Sequence, residues 1–317
     1  MNQSRRTDPP AGESTGQRII AGVLRSVLRR MLGRAFQAGS PVEQQRRRLR
    51  QATRLAFPPR GSGFSAAVCG GVPGEWVAAR PRGQATLTIL YLHGGGYVAG
   101  SPRTHRVITG HLAAHCGARV FAADYRLAPE LPFPAALDDA VAAYRGLLAE
   151  GLAPGDIVIA GDSAGGGLSV STALRLRELE QPLPRALVLF SPWIDLSLEQ
   201  LPHAAPGEVM LTPQWLAEGA RAYVARTDAR HPLVSPVFAN LRGLPPTLVQ
   251  VGTDELLLGD SRRLHERLRA AGVAVRLEEY PRRWHVFQAS AGLLADADRA
   301  IESVARFIRD GGPHTPG

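Results

Sequence analysis

From Leu87 to the C-terminus the sequence alternates short apolar runs with longer segments of helical periodicity, and few architectures accept that rhythm. Leu87–Leu92, Arg119–Ala123, Ile157–Ala160, Ala186–Phe190, Thr247–Val251 and Val273–Tyr280 read as strands. Between them, helical patterns occupy Ala135–Glu150, Ala164–Glu180, Leu258–Ala271 and Ala289–Arg309. Strand and helix in strict alternation are the signature of a mostly parallel sheet with helices on both faces. The stretch from Trp193 to about Tyr223 breaks the rhythm, with irregular Pro-containing sequence and then one helix near Pro213–Tyr223.

The first 60 residues behave differently. Met1–Gly16 is polar and carries no apolar core of the kind a secretory leader has, so the sequence leads us to expect a cytoplasmic protein. Ile19–Phe36 is an amphipathic helical pattern. Ile20, Val23, Leu24, Val27, Leu28, Met31 and Leu32 recur at spacings of three and four, while Arg25, Arg29, Arg30 and Arg34 lie mostly off that stripe. A second helical stretch spans about Pro41 to Leu55. Pro58, Pro59 and the glycine-rich region Gly61–Gly74 then interrupt the pattern, which places a boundary near residue 60.

Charge follows the same division. The formal net charge is +9, and residues 1–60 hold 13 Arg against only Asp8, Glu13 and Glu43, so the remainder is nearly neutral. No lysine occurs, and no aromatic side chains interleave with Arg46-Arg47-Arg48-Leu49-Arg50 as single-strand binding would need. A solvated helix face is the expected reading, with no nucleic-acid partner. No run of about 18 apolar residues is present, so no stable membrane insertion is expected. Two cysteines, Cys69 and Cys116, cannot make a disulfide framework and read as thiols.

Chemistry concentrates at two motifs. Gly161-Asp162-Ser163-Ala164-Gly165 follows an apolar strand and opens a helix, the context of a nucleophile elbow. Its glycines sit where the turn is too tight for side chains, and the helix N-terminus behind Ser163 brings partial positive charge. His93-Gly94-Gly95-Gly96 follows the strand Leu87–Leu92. The N–H groups of Gly94 and Gly95, together with that of Ala164, are the expected donors to an oxyanion. His93 is expected to anchor this loop rather than to move protons.

With His93-Gly94-Gly95-Gly96-Tyr97, Asp124-Tyr125-Arg126-Leu127-Ala128-Pro129-Glu130 and Gly161-Asp162-Ser163-Ala164-Gly165-Gly166 in this order, the chain resembles the hormone-sensitive-lipase-like bacterial (family IV) esterases of the α/β-hydrolase fold. Ser191-Pro192-Trp193, Ser235-Pro236 and Gly252-Thr253-Asp254-Glu255 look like further blocks of that family. The resemblance implies carboxylic-ester hydrolysis by a Ser-His-Asp triad, without metal or other cofactor; short-to-medium acyl esters are expected because the short cap pieces would roof only a compact pocket. It also implies a helical cap over the site, which residues 1–60 and about 193–225 would form, leaving 61–317 as the catalytic domain. A homodimer is compatible with it.

In this fold the acid and then the histidine follow the nucleophile. Asp254 stands directly after the strand Thr247–Val251 and is the expected acid; Glu255 and Asp260 compete. Glu255 is expected to point elsewhere, and Asp260 to be a surface residue or helix cap. His285, in the loop before the last helix, is by resemblance the general base. Tyr97, Trp193 and Trp215 are candidates for lining the substrate pocket, with core or cap packing equally open.

Overall fold

Side chains that alternate along the sheet strands segregate into two cores. Leu90 and Leu92, Ile157 and Ile159, and Leu187 and Leu189 face one; Ile89 and Tyr91, Val158 and Ala160, and Val188 and Phe190 face the other. Strands buried on both faces need a layer of helices on each side, and that is the arrangement found. The computed structural model describes residues 14–54, 56–79 and 86–311. Its strands are β1 (Gly63–Cys69), β2 (Val72–Ala78), β3 (Thr88–Leu92), β4 (Arg119–Ala123), β5 (Ile157–Asp162), β6 (Ala186–Phe190), β7 (Thr247–Gly252) and β8 (Val275–Tyr280). They form one sheet in the order β1-β2-β4-β3-β5-β6-β7-β8. β1 pairs antiparallel with β2 and β2 with β4, and every later pairing is parallel.

The helices are α1 (Thr15–Ala35), α2 (Val42–Thr53), α3 (Arg106–Cys116), α4 (Ala135–Ala149), α5 (Ala164–Glu178), α6 (Pro213–Val224), α7 (Leu258–Ala270) and α8 (Ala295–Arg309). α4, α5 and α7 supply Leu137, Leu168 and Leu264 to the first core, and α3 and α8 supply Leu112 and Ile301 to the second. α1 and α2 pack against the segment between β6 and β7. Phe36 meets the edge of Trp215 with ring centroids 4.7 Å apart, and Trp215 Nε1 donates to Gln45 Oε1 at 2.8 Å. No helix among the described residues is long and apolar enough to cross a membrane.

The hairpin β1–β2 departs from the sequence reading, which took Gly61–Gly74 as a break. Gly70 and Gly71 have φ of +58° and +81° and form its two-residue turn, a geometry that needs left-handed backbone at both positions. At Gly70 a side chain would also collide with the Ala142 carbonyl. The last helix begins at Ala295 rather than Ala289, because Gly292 with φ +84° interrupts the chain after a short 3₁₀ turn at Phe287–Ser290. α1 starts earlier than its apolar stripe, at Thr15, where the Ser14 hydroxyl accepts from Gln17 N–H. Residues 1–13 of the polar start, and Leu55 at the end of the second helical stretch, lie outside the described residues. Cys69 is buried and Cys116 half-buried, both as free thiols.

Candidate active site

β5 ends at Asp162 and α5 begins at Ala164, so Ser163 alone makes the turn between them. Its φ of +53° and ψ of −122° lie where only strained non-glycine residues are found. The reason for the flanking glycines is steric. A side chain on Gly165 would run into the Leu92 and His93 carbonyls, and one on Gly161 into the Gly165 and Leu92 carbonyls. The elbow is therefore pressed against the end of β3, and the first N–H groups of α5 are presented beside Ser163. Gly167 N–H, bonded to Ser163 O at 3.1 Å, is the first that the helix ladder uses.

His285 follows β8 and is buried, with Nδ1 3.0 Å from Glu255 Oε1. The carboxylate can only accept, so Nδ1 carries the proton and Nε2 is left as the acceptor. The other carboxylate oxygen, Oε2, accepts from Ser191 Oγ at 2.7 Å and from Gly252 N–H at 3.0 Å. Ser191 Oγ in turn accepts from Val286 N–H at 3.2 Å, tying the end of β6 to the histidine loop. Burial alone would lower the His285 pKa, but the Glu255 charge and hydrogen bond outweigh it, with help from Glu208 and Asp162, and hold it above the ordinary 6.5.

This corrects the expected acid. Asp254 does not reach His285. Its side chain turns outward, where Oδ2 receives Arg25 Nη2 of α1 at 2.8 Å, and it is about a quarter exposed. After β7 the chain turns tightly, so adjacent side chains diverge, and the longer glutamate is the one aimed inward. Asp260 is not at the surface either. It is buried in α7, where Oδ2 accepts the N–H groups of Ile194 and Asp195 at 3.0 and 3.2 Å. Burial pushes its pKa up to about 7 despite those bonds.

The expected oxyanion donors are also revised. Gly94 N–H is already committed to Asp162 Oδ1 at 3.0 Å. No hydrogen bond among the described residues uses the N–H of Gly95 or Gly96. Gly95 has φ +123°, and a side chain there would strike the Ala99 carbonyl. Asp162 is the organiser of this loop: Oδ1 also accepts Tyr91 Oη at 2.6 Å, and Oδ2 lies 3.4 Å from His105 Nε2. Burial penalises its charge, yet His105 and the Tyr91 hydrogen bond hold the carboxyl below its usual range. His93 is stacked on Tyr125, with ring centroids 4.2 Å apart, and burial together with neighbouring His105 pushes its pKa down to about 3. At neutral pH it is an uncharged packing group.

Ser163, His285, Gly94 and Gly95 line one cavity of about 370 Å³. Its far wall is apolar: Leu24, Leu28, Met31 and Leu32 of α1, Leu49 of α2, and Trp215 of α6. Of the three aromatic candidates, only Trp215 reaches it. Tyr97 is buried against Tyr223 in a parallel stack 3.7 Å apart, and Trp193 is buried with Nε1 donating to the Asp195 carbonyl. Ser191 is the site residue that sequence reasoning missed, and Glu255 the competitor that it set aside. Both lay inside blocks already singled out, Ser191-Pro192-Trp193 and Gly252-Thr253-Asp254-Glu255.

Residues 89–289 match a family model described as alpha/beta hydrolase fold. The chain is 47% identical over 237 residues to an acetyl-hydrolase of Streptomyces hygroscopicus, covering 74% of this chain and 79% of that protein. It is 39% identical over 240 residues to an esterase of Acinetobacter venetianus, covering 75% of this chain and 78% of that one. Among solved structures, an esterase from the bacterial hormone-sensitive lipase family superposes with a TM-score of 0.86 at 39% identity, over 95% of this chain and 99% of that one. The family-model match runs through the elbow, the glycine loop and the histidine loop alike, and the chain belongs to the bacterial hormone-sensitive-lipase-like esterases of the α/β-hydrolase fold.

Proposed function

We propose that this protein hydrolyses carboxylic esters of short-to-medium acyl chains through a Ser163–His285–Glu255 triad and an acyl-enzyme intermediate. The observation that carries the proposal is the buried Glu255–His285 contact at 3.0 Å, with His285 lining the same cavity as a strained, elbow-borne serine. Neutral His285 takes the Ser163 proton at Nε2 as the hydroxyl attacks the ester carbonyl. Glu255 fixes the tautomer through Nδ1–H and offsets the charge that the imidazole gains. The N–H groups of Gly95 and Ala164, with Gly96 adjacent, receive the oxyanion; one such donor is typically worth about 3 kcal/mol of barrier. The alcohol leaves with the proton held by His285. Water activated by the same nitrogen then releases the acid.

In this reading the described part of residues 1–60, with about 193–225, acts as a cap. The contact of Phe36 with Trp215 and the α1 side chains over the cavity support it. A cavity of about 370 Å³ suits a short acyl chain better than a long one. Replacement Ser163→Ala tests the assignment on purified protein with a p-nitrophenyl ester: turnover should fall by about 10⁶ while the unfolding temperature holds. Activity within tenfold of wild type would refute the nucleophile.

A further inference from the structure

A second cavity, of about 520 Å³, adjoins the first and shares Thr53, Ala56, Thr104 and Val107 with it. Its character is opposite. Arg47 and Arg50 of α2 and Arg54 at its C-terminal cap line it together with Arg103 and Arg106, and no carboxylate is among its lining residues. Positions 47, 50 and 54 recur at three and four residues and so share one helix face. The neighbouring arginines of the same run are used elsewhere. Arg46 binds Glu130 and the Val98 and Ala128 carbonyls, and Arg48 binds the Arg34 carbonyl. Arg106 is paired with Glu75. Among the described residues, the side chains of Arg47, Arg50, Arg54 and Arg103 have no hydrogen-bond or ion-pair partner. The first residues of α3, Arg106 and Val107, also lie in the wall, so the positive end of that helix faces the same space.

Arg47, Arg50, Arg54 and Arg103 are all exposed, so water screens their mutual repulsion, but four like charges around one concavity still favour an anion between them. Because this basin adjoins the catalytic cavity along the walls that Thr53, Ala56, Thr104 and Val107 share, a ligand with its scissile carbonyl at Ser163 has the arginines within one neighbouring cavity. We propose that the basin is a substrate subsite, so that the preferred esters carry a terminal oxyanion group, carboxylate or phosphate, on the part of the molecule away from the scissile carbonyl. Planar guanidinium forks match either group bidentately. The proposal rests on the esterase reading above and adds the substrate class to it. Adjacency to the catalytic cavity favours a small anionic ester over a nucleic acid or an anionic membrane.

The test compares kcat/KM for butyrate esters of four alcohols: 4-hydroxybutyrate, 2-hydroxyethyl phosphate, neutral 2-methoxyethanol and cationic choline. Monoethyl adipate against diethyl adipate places the anion on the acyl side instead. The expected result is at least a tenfold preference for one anionic ester over its neutral counterpart at low ionic strength. That preference should shrink with added salt and drop severalfold in Arg50→Gln/Arg54→Gln, but persist in Arg226→Gln, an exposed arginine outside the basin. The carboxylate and phosphate arms decide which oxyanion fits. If neutral esters are hydrolysed and no anionic ester is preferred, the subsite is refuted while the esterase reading stands. A preference unchanged in the double variant also refutes it, as does Arg50/Arg54-dependent binding of phosphatidylglycerol vesicles or RNA without ester preference. Failure to cleave any of these esters would overturn the esterase reading itself.

Discussion

Arg25 of α1 reaches Asp254 at the end of β7, with Nη2 2.8 Å from Oδ2, and the same nitrogen donates to the Arg282 carbonyl at 2.6 Å. The residue expected to serve as the catalytic acid is thus a tether. It fastens the N-terminal helix to the two loops that carry Glu255 and His285. Both side chains of the pair are about a quarter exposed, so water and salt weaken the interaction, and such pairs contribute about 0–1 kcal/mol. Arg25→Gln or Asp254→Asn should therefore lower the unfolding temperature by a few degrees at most and leave kcat within about tenfold. Calorimetry and steady-state kinetics on the two variants check both statements.

His285 sets the pH dependence. Only neutral imidazole accepts the serine proton, so the rate must rise with pH as His285 loses its proton. Its pKa is raised above 6.5, chiefly because the Glu255 charge and hydrogen bond overcome burial. The midpoint of the acidic limb of kcat/KM should accordingly lie above 6.5, and in the residual activity of Glu255→Gln it should move to lower pH. A rate flat from pH 5 to 9 would contradict a histidine base.

Acyl length reads the cavity. Each buried methylene contributes about 0.8 kcal/mol, or about fourfold in affinity, until the space beneath Leu24, Leu28, Met31 and Leu32 is filled. Across p-nitrophenyl esters from acetate to palmitate, kcat/KM should rise and then fall, with its optimum between about two and eight carbons, in keeping with a cavity of this size. An optimum at twelve carbons or more, with activation at a lipid–water interface, would favour a lipase.

Much of this was legible in the sequence. The later strands and the elbow carry local signals: apolar runs, and glycines at positions where a Cβ would meet the end of β3. What escaped depended on directions that the one-dimensional pattern does not encode. Asp254 and Glu255 are adjacent carboxylates after the same strand, and the tight turn alone decides which faces inward. Gly94 and Gly95 look alike in the sequence, yet Gly94 N–H is taken by Asp162, 68 residues away. Tyr97 and Trp193 are aromatic residues in motif blocks that fill the core instead of the pocket. The turn at Gly70-Gly71 was readable as a hairpin signal but sat in a glycine-rich stretch that looked like a break. The arginine run looked like a uniform solvated face. Its members in fact divide by what they contact, Arg46 and Arg48 holding structural carbonyls while Arg47 and Arg50 line the basin.

The central claim is that Glu255, and not its neighbour, completes the triad. Glu255 is buried with both oxygens occupied, one by His285 and the other by Ser191 and Gly252. Conversion to the amide removes the charge that stabilises the imidazolium, and an amide that turns its NH₂ toward Nδ1 would hold the wrong tautomer. In a serine protease the equivalent change costs about 10⁴ in kcat. The decisive measurement is kcat for Glu255→Gln beside Asp254→Asn on one p-nitrophenyl ester, with circular dichroism to verify folding. The account predicts a loss of about 10³–10⁴ for Glu255→Gln and less than about tenfold for Asp254→Asn. The reverse order, with Asp254→Asn the crippling change in a folded protein, would contradict it.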